Sequence, residues 1–320
     1  MAIPRLPTEP AALVDAVAAG DRRALARMLS IVERGDAEAR EIGRLIFSRA
    51  GAAATLGITG APGAGKSTLT SALVAHMRGL DVRPAVLAVD PSSPFSGGAI
   101  LGDRVRMAEH ALDTEVFIRS MATRGHLGGL TLAVPEAIRV LDAAGFDWVI
   151  VETVGVGQVE VEIVSQADST VVVVNPGWGD AVQANKAGLM EIADVFVINK
   201  ADRDGVRQTR HDLKAMLQMG DSRDWTPPIV EAVATEGQGA AELWEAIGEH
   251  QAHVRATGEL DVRRSRRLRD ELESVVTERL RQRAAALTGG DGARDLIERV
   301  SSGEIDPYAA ADDLLGPLGA

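Results

Sequence analysis

Residues 55–70, Thr55-Leu56-Gly57-Ile58-Thr59-Gly60-Ala61-Pro62-Gly63-Ala64-Gly65-Lys66-Ser67-Thr68-Leu69-Thr70, hold the pattern that decides the fold. An apolar, β-branched run (Thr55–Thr59) enters a glycine-rich turn, and a helical pattern (Leu69–Met77) leaves it. From Gly60 to Ser67 the turn fits G-x-x-x-x-G-K-[ST], in the strand–loop–helix setting that a phosphate-binding loop demands. Gly60, Gly63 and Gly65 let successive backbone N–H groups, with those of Ala64 and the helix start at Lys66, Ser67 and Thr68, turn inward on phosphate oxygens. Lys66 has the reach and charge for the β- and γ-phosphates, and Ser67 offers a hydroxyl to Mg²⁺.

Outward from this turn the chain alternates short apolar runs with longer helical patterns. The further runs are Ala85–Val89, Val116–Ile118, Trp148–Val151, Thr170–Val174, Val195–Ile198 and Ile229–Ala232. They lack in/out alternation, which suits strands buried on both faces. Their spacing by helical stretches predicts βαβ units and a mostly parallel sheet. The expected fold is therefore an α/β P-loop NTPase with helical extensions at both ends, and three parts are expected. Residues 1–50 form an N-terminal helical extension, with helices capped near Thr8, Asp21 and Asp36; no chemistry is visible in it. Residues 51–255 form the nucleotide-binding domain, and residues 256–320 a C-terminal helical dimerisation region, in which Leu268, Leu272, Val275, Val276 and Leu280 make one stripe and Gly289, Gly290 and Gly292 a break.

Ligands of parallel sheets bind at the carboxyl ends of the strands, so the loops after these runs are where chemistry is expected. Asn199-Lys200-Ala201-Asp202 follows Val195–Ile198 and fits N-K-x-D. A carboxylate at Asp202 pairs with the ring N–H and exocyclic amine of guanine together, whereas adenine would leave it unpaired at a high cost. Asn199 and Lys200 brace such a pocket, and backbone N–H groups in Val233-Ala234-Thr235 would close it; alone, that last segment is a weak signal. Three acids end or follow strand-like runs: Asp90, Asp103 and Glu152. Glu152 stands where an acid holds Mg²⁺ directly or through water, and the glycines of Thr153-Val154-Gly155-Val156-Gly157 suit a loop that answers to the γ-phosphate. Lys66, Glu152 and Asp103 are the candidate catalytic residues, and Ser67, Asp90, Asp103 and Glu152 the candidate metal shell.

Composition narrows the function. The chain has 320 residues, net charge −12 and no cysteine. That balance argues against nucleic-acid or anionic-membrane partners, and the missing thiols rule out cysteine nucleophiles, iron–sulfur clusters and thiolate zinc. No apolar run approaches the ~20 residues of a bilayer span and the first residues lack a signal-peptide profile, so a cytoplasmic location is expected. Aromatics make up only 3% of the chain, so the core must be aliphatic.

Taken together, the sequence resembles the P-loop GTPases that serve as metallochaperones and cobalamin-enzyme chaperones, and within them the methylmalonyl-CoA mutase-associated group (MeaB/ArgK). The resemblance is carried by Gly60–Thr68, Val89-Asp90-Pro91-Ser92-Ser93-Pro94, Gly97–Asp103, Glu152–Gln158 and Asn199–Asp202. It implies a homodimer embraced by C-terminal helices, binding of GTP and GDP with Mg²⁺, and a chaperone role toward an adenosylcobalamin-dependent acyl-CoA mutase, with no cobalamin held by this chain. It also implies a first switch over residues 90–106, a second from Glu152 onward, and a third over Pro176–Lys186 in which Asp180, Gln183 and Lys186 relay nucleotide state to the mutase. Where the family usually has Ser after the second-switch Gln, this chain has Val159. A P-loop kinase or ATPase of an amino-acid transport system is the alternative, and Asn199–Asp202 speaks against it. A nickel-inserting GTPase is disfavoured by zero cysteines and six scattered histidines.

Two further features have plain readings. Arg263, Arg264, Arg266, Arg267 and Arg269 read as a solvated or dimer-facing helix surface among Asp261, Asp270, Glu271 and Glu273. His250 and His253 share a helix face, but no further ligand accompanies them as a metal pair would require.

Overall fold

The structure is a computed structural model that describes residues 6–90, 107–110, 112–122, 127–153, 166–177, 191–219 and 224–316. In chain order, α1 (Pro10–Ala18), α2 (Arg22–Arg34) and α3 (Ala37–Phe47) precede β1 (Ala54–Gly60) and α4 (Lys66–Gly79). β2 (Pro84–Asp90), β3 (Phe117–Ala122), α5 (Leu127–Ala143), β4 (Trp148–Thr153), β5 (Ser169–Val174) and β6 (Val195–Asn199) follow. Then come α6 (Val206–Met219), β7 (Ile229–Ala232), α7 (Ala240–Ala256), α8 (Glu259–Thr288), α9 (Asp291–Ser301) and α10 (Pro307–Leu315).

The seven strands form one sheet in the order β3-β2-β4-β1-β5-β6-β7, with every neighbouring pair parallel. β1, β5 and β6 are buried along their whole length, as runs without alternation predicted. Successive residues serve opposite layers. Val149 and Val151 of β4 face the layer built by the N-terminal helices and α5, while Ile150 faces α4 and α7. The N-terminal helices thus close one face of the sheet, through Leu13, Met28, Leu29, Ile42 and Ile46. Asp21 caps α2 by accepting from the N–H groups of Arg23 and Ala24, and Asp36 caps α3 through Ala39. At α1, Glu9 rather than Thr8 occupies the cap, with no side-chain bond; Pro10 starts the helix without needing its own N–H.

β3 runs on past the expected Val116–Ile118 to Ala122. Arg119 and Ser120 hid it, because polar residues interrupt the apolar run. On this edge strand the Arg119 guanidinium pairs with Glu33 of α2, so a charge is satisfied where the sequence suggested a strand end.

The basic run of α8 departs from its expected role. Asp168 and Asp194 stand at the amino-terminal ends of β5 and β6, buried, and three arginines close on them. Arg263 grips Asp194 with both terminal nitrogens, at 2.9 and 3.0 Å. Arg264 donates to Asp168 at 2.7 and 3.2 Å, and Arg267 donates to the same carboxylate. Asp168 also accepts from Thr55 N at 3.2 Å, and Asp194 from Thr170 N at 2.8 Å. The first turns of α8 are therefore clasped to the sheet rather than solvated. Sequence neighbours could not show this, because the acids lie about 70–100 residues away. His250 belongs to the same cluster: its Nδ1 meets Ser169 Oγ at 2.7 Å and its Nε2 meets Asp194 Oδ1 at 3.1 Å. Its ring is thus held in the core by Ser169 and lies against the Asp194 carboxylate.

The chain divides into two units, Met1–Arg267 and Leu268–Ala320, with the boundary inside α8. In the second unit Ala293, Leu296 and Ala310 are buried, while Leu268, Leu272, Val276 and Leu280 stand exposed. No helix among the described residues is long and apolar enough to cross a membrane.

Burial raises the pKa of Asp168, but the hydrogen bonds and charges of Arg264 and Arg267 outweigh it and hold the carboxyl below its ordinary value. For Asp194, burial is likewise outweighed by His250 and Arg263. A lowered folded-state pKa stabilises the fold above the unfolded carboxylate pKa of about 3.9, and that contribution is lost as pH falls below this value and through the lower folded-state one. Stability measured by thermal melts should therefore be flat with respect to these groups from neutral pH down to about pH 5 and fall steeply below about pH 4. Asp168→Ala should cost about 3 kcal/mol in denaturant unfolding at neutral pH, because it removes the buried carboxylate on which the half-buried Arg264 and Arg267 guanidinium groups converge.

Candidate nucleotide site

Parallel pairing brings the carboxyl ends of β2, β4, β1, β5, β6 and β7 side by side along one edge of the sheet. The phosphate-loop motif lies in the middle of that edge, between β1 and α4. Gly60 and Gly65 are required by space. A Cβ on Gly60 (φ +140°) would lie 2.0 Å from the Val173 carbonyl oxygen, and one on Gly65 (φ +87°) 2.4 Å from Asn199 Nδ2. Gly65 then serves as the cap of α4, so the first N–H groups of the helix, at Lys66, Ser67 and Thr68, border the loop. Lys66 arches back over the turn and donates to the carbonyls of Gly60 (2.7 Å) and Ala61 (3.2 Å). Its ammonium is thereby held above the cradle in which a phosphate chain would sit.

On one side of the loop lies the acidic end of the site. Glu152 pairs in register with Ile58 across the β1–β4 ladder, is only 1% exposed, and accepts a hydrogen bond from Ser67 Oγ. An alcohol and a carboxylate meeting at the start of the phosphate-loop helix are hard oxygen donors of the type Mg²⁺ selects, so these two residues fit that ion. Asp90 ends β2, the next strand but its side chain lies outside the described residues. Asp103, and the third-switch candidates Asp180, Gln183 and Lys186, also lie outside them, as does Val159.

On the other side lies the N-K-x-D turn. Asn199, 2% exposed at the end of β6, ties three loops together. Its Nδ2 donates to Ala64 O at 2.8 Å, and its Oδ1 accepts from Ala234 N at 3.2 Å. Lys200 stands in the left-handed region (φ +58°), a strained conformation for a residue with a Cβ, and its Nζ donates to Gly63 O at 2.6 Å. Ala201 N bonds Ala232 O at 3.0 Å and fixes the turn that presents Asp202 at the surface. Ala234 and Thr235 form a short 3₁₀ turn after β7. The N–H of Ala234 is taken by Asn199, which the sequence did not reveal.

Two linking residues escaped the sequence reading. Asn175, just after β5, reaches Gly63 O at 3.5 Å, and Thr209 of α6 accepts from Gly177 N at 3.2 Å. Only Asn175, which directly follows β5, carried a hint in its position.

The description "Methylmalonyl Co-A mutase-associated GTPase MeaB" belongs to the family model that matches residues 25–288. A Pyrococcus abyssi protein with a GTPase name is 49% identical over 95% of this chain and 95% of its own. GTPase ArgK of Escherichia coli is 40% identical over 75% of this chain and 76% of its own. The mitochondrial methylmalonic aciduria type A homolog of Mus musculus is 34% identical over 92% of this chain and 76% of its own. Among solved structures, one described as a LAO/AO transport system kinase superposes with a TM-score of 0.74 at 29% identity, covering 97% of this chain and 98% of that one.

Asn199→Ala should lower the melting temperature and weaken binding of a fluorescent GDP, because it leaves the buried Ala64 carbonyl and Ala234 N–H unpaired at about 1–3 kcal/mol. A thermal melt and a titration check both.

Proposed function

The chain belongs to the MeaB family of methylmalonyl-CoA mutase-associated P-loop GTPases, and from that footing we propose that it is a Mg²⁺-dependent GTPase chaperone of an adenosylcobalamin-dependent acyl-CoA mutase. The observation that carries the nucleotide part is Asn199, which joins the guanine-reader loop to the phosphate loop and to the Ala234 turn. Base and phosphates are thereby read by one connected frame. In this reading the backbone N–H groups from Gly63 to Thr68 bind the phosphate oxygens, and Lys66 leaves its carbonyl partners for the β- and γ-phosphates. Asp202 pairs with the guanine N–H groups, Asn199 and Lys200 hold the loops around the base, and Ala234 and Thr235 border it.

Ser67 and Glu152 would hold Mg²⁺, together with Asp90 and Asp103. When bound, that ion neutralises charge developing on the β- and γ-phosphate oxygens. Lys66 would add its own positive charge there, and the buried Glu152 keeps the Ser67 hydroxyl oriented. Catalysis of this type is positioning and charge stabilisation, since phosphoryl transfer asks little covalent chemistry of the protein. Gln158 stands too far after Glu152 to copy the water-positioning arrangement of small regulatory GTPases, so turnover without a partner is slow.

The partner assignment rests on the family description and on the methylmalonic aciduria relative. Asp180, Gln183 and Lys186 are the residues proposed to relay nucleotide state, and methylmalonyl-CoA mutase is the first mutase to test. The exposed stripe Leu268, Leu272, Val276 and Leu280 supports a homodimer formed through residues 256–320. The proposed location is the cytoplasm. The kinase reading, which the description of the superposed structure also carries, leaves the Asn199–Asp202 loop without a purpose.

Lys66→Ala should abolish GTP hydrolysis or weaken nucleotide binding; unchanged activity would remove Lys66 from the site. Asp202→Asn should relax the preference for GTP over ATP by about 1 kcal/mol or more, read by nucleotide competition. A purified mutase should raise the GTPase rate of the wild-type protein and be captured by it, and neither effect with any acyl-CoA mutase would sink the chaperone reading.

A further inference from the structure

Asn175 is an amide beside the phosphate loop that no motif accounts for. It directly follows β5. Val174 of β5 pairs with Ile198 of β6, so the chain carries Asn175 and Asn199 side by side past the last apolar pair. The two amides reach consecutive carbonyls of the loop. Asn199 Nδ2 donates to Ala64 O at 2.8 Å and Asn175 Nδ2 to Gly63 O at 3.5 Å. Lys200 Nζ donates to the same Gly63 O at 2.6 Å. Asn175 Oδ1 is buried and has no hydrogen-bond partner among the described residues. A buried acceptor left unpaired costs free energy that an apolar side chain of the same size would avoid. Packing alone therefore does not explain an amide here; the position uses its N–H.

Gly63 needs such a hold. Ala64 N closes a turn on Ala61 O at 3.1 Å, with Pro62 and then Gly63 at φ +73° between them, the arrangement of a type II β-turn. A Cβ on Gly63 would meet nothing within 4 Å, so crowding does not fix this residue. Glycine turns readily about φ and ψ, and hydrogen bonds from outside the loop choose its orientation. The N–H groups of Gly63 and Gly65 have no acceptor among the described residues. In a trans peptide the C=O and N–H point opposite ways. By holding Ala64 O, Asn199 leaves the Gly65 N–H directed away from itself. By holding Gly63 O, Asn175 and Lys200 fix the residue that presents the Gly63 N–H.

We propose that Asn175 is a positioning residue for the phosphates of the nucleotide: its Nδ2–H, given with Lys200 to Gly63 O, sets the turn that aims the Gly63 N–H at the phosphate chain. The proposal rests on the nucleotide reading above and deepens it. It assigns Asn175 to the phosphates and leaves discrimination of the base to Asp202.

Asn175→Leu keeps the size and removes the amide, and Asn175→Gln keeps a donor. Asn175→Ala stands in if the leucine variant folds poorly. The readouts are GDP affinity by competition with fluorescent GDP, the ratio of GDP to ADP affinity, and the phosphorus NMR resonance of the β-phosphate in bound GDP. Asn175→Leu should weaken GDP about fivefold, as loss of one neutral hydrogen bond implies. It should also move the β-phosphate resonance and keep the GDP-to-ADP ratio within about twofold. Asn175→Gln should recover part of the lost affinity. An unchanged GDP affinity in Asn175→Leu, or in the alanine variant where it stands in, overturns the proposal. So does a weaker affinity with an unmoved β-phosphate resonance, which would make the contact structural alone, or a collapse of the GDP-to-ADP ratio, which would place Asn175 at the base. Wild-type protein that fails to bind GDP would instead overturn the nucleotide reading and this inference with it.

Discussion

Parallel pairing of strands that are buried on both faces is the constraint from which the site follows. Such strands leave backbone ends, and the polar residues that terminate them, only at the two edges of the sheet. All carboxyl ends therefore share one edge, and neighbouring strands stand about 4.8 Å apart there. Along that edge the chain sets Asp90 and Glu152 on β2 and β4, the phosphate loop after β1, and Asn199 at the end of β6. The proposed metal, phosphate and base positions then fall in the linear order that a nucleotide itself has. Asn199 then converts adjacent loops into one frame, since a single buried amide satisfies a carbonyl on the phosphate loop and an N–H on the Ala234 turn. Gly65 makes the approach possible, because any side chain there would collide with that amide.

The amino-terminal edge is organised by charge. Asp168 and Asp194 are buried, and burial alone would push them toward neutrality. Arginine suits the repair better than lysine would, because its planar fork meets a carboxylate with two parallel hydrogen bonds, as Arg263 does with Asp194. β6 thus carries a structural carboxylate at one end and the N-K-x-D turn at the other. His250 shows how burial can disguise a residue of functional type: with Ser169 on one ring nitrogen and Asp194 on the other, it is a core hydrogen-bonding group.

The N-terminal helices are also part of this logic. A sheet of this kind needs both faces covered, and α1–α3 with α5 supply one of them. Arg119 illustrates the join. It sits on the edge strand β3, where a charge can reach out of the sheet, and Glu33 of α2 receives it. The poverty of aromatics has a counterpart here, since the layers are filled by Leu, Val, Ile, Met and Ala at near-zero exposure.

Local pattern alone determined a large share of this protein. Strand–turn–helix context around Gly60–Ser67, the N-K-x-D turn at Asn199 and the acid at Glu152 were legible because each motif is short and its chemistry depends on residues adjacent in sequence. The helix caps at Asp21 and Asp36 were legible for the same reason. What only the tertiary structure decided concerns partners distant in the chain: Arg264 and Arg267 finding Asp168, Asn199 taking the Ala234 N–H, Asn175 reaching Gly63, and β3 continuing through Arg119 toward Ala122. A charge or amide in sequence carries no record of which distant group will satisfy it. That choice is made when burial removes water as the alternative partner, and the fold then sets which groups stand within hydrogen-bonding distance.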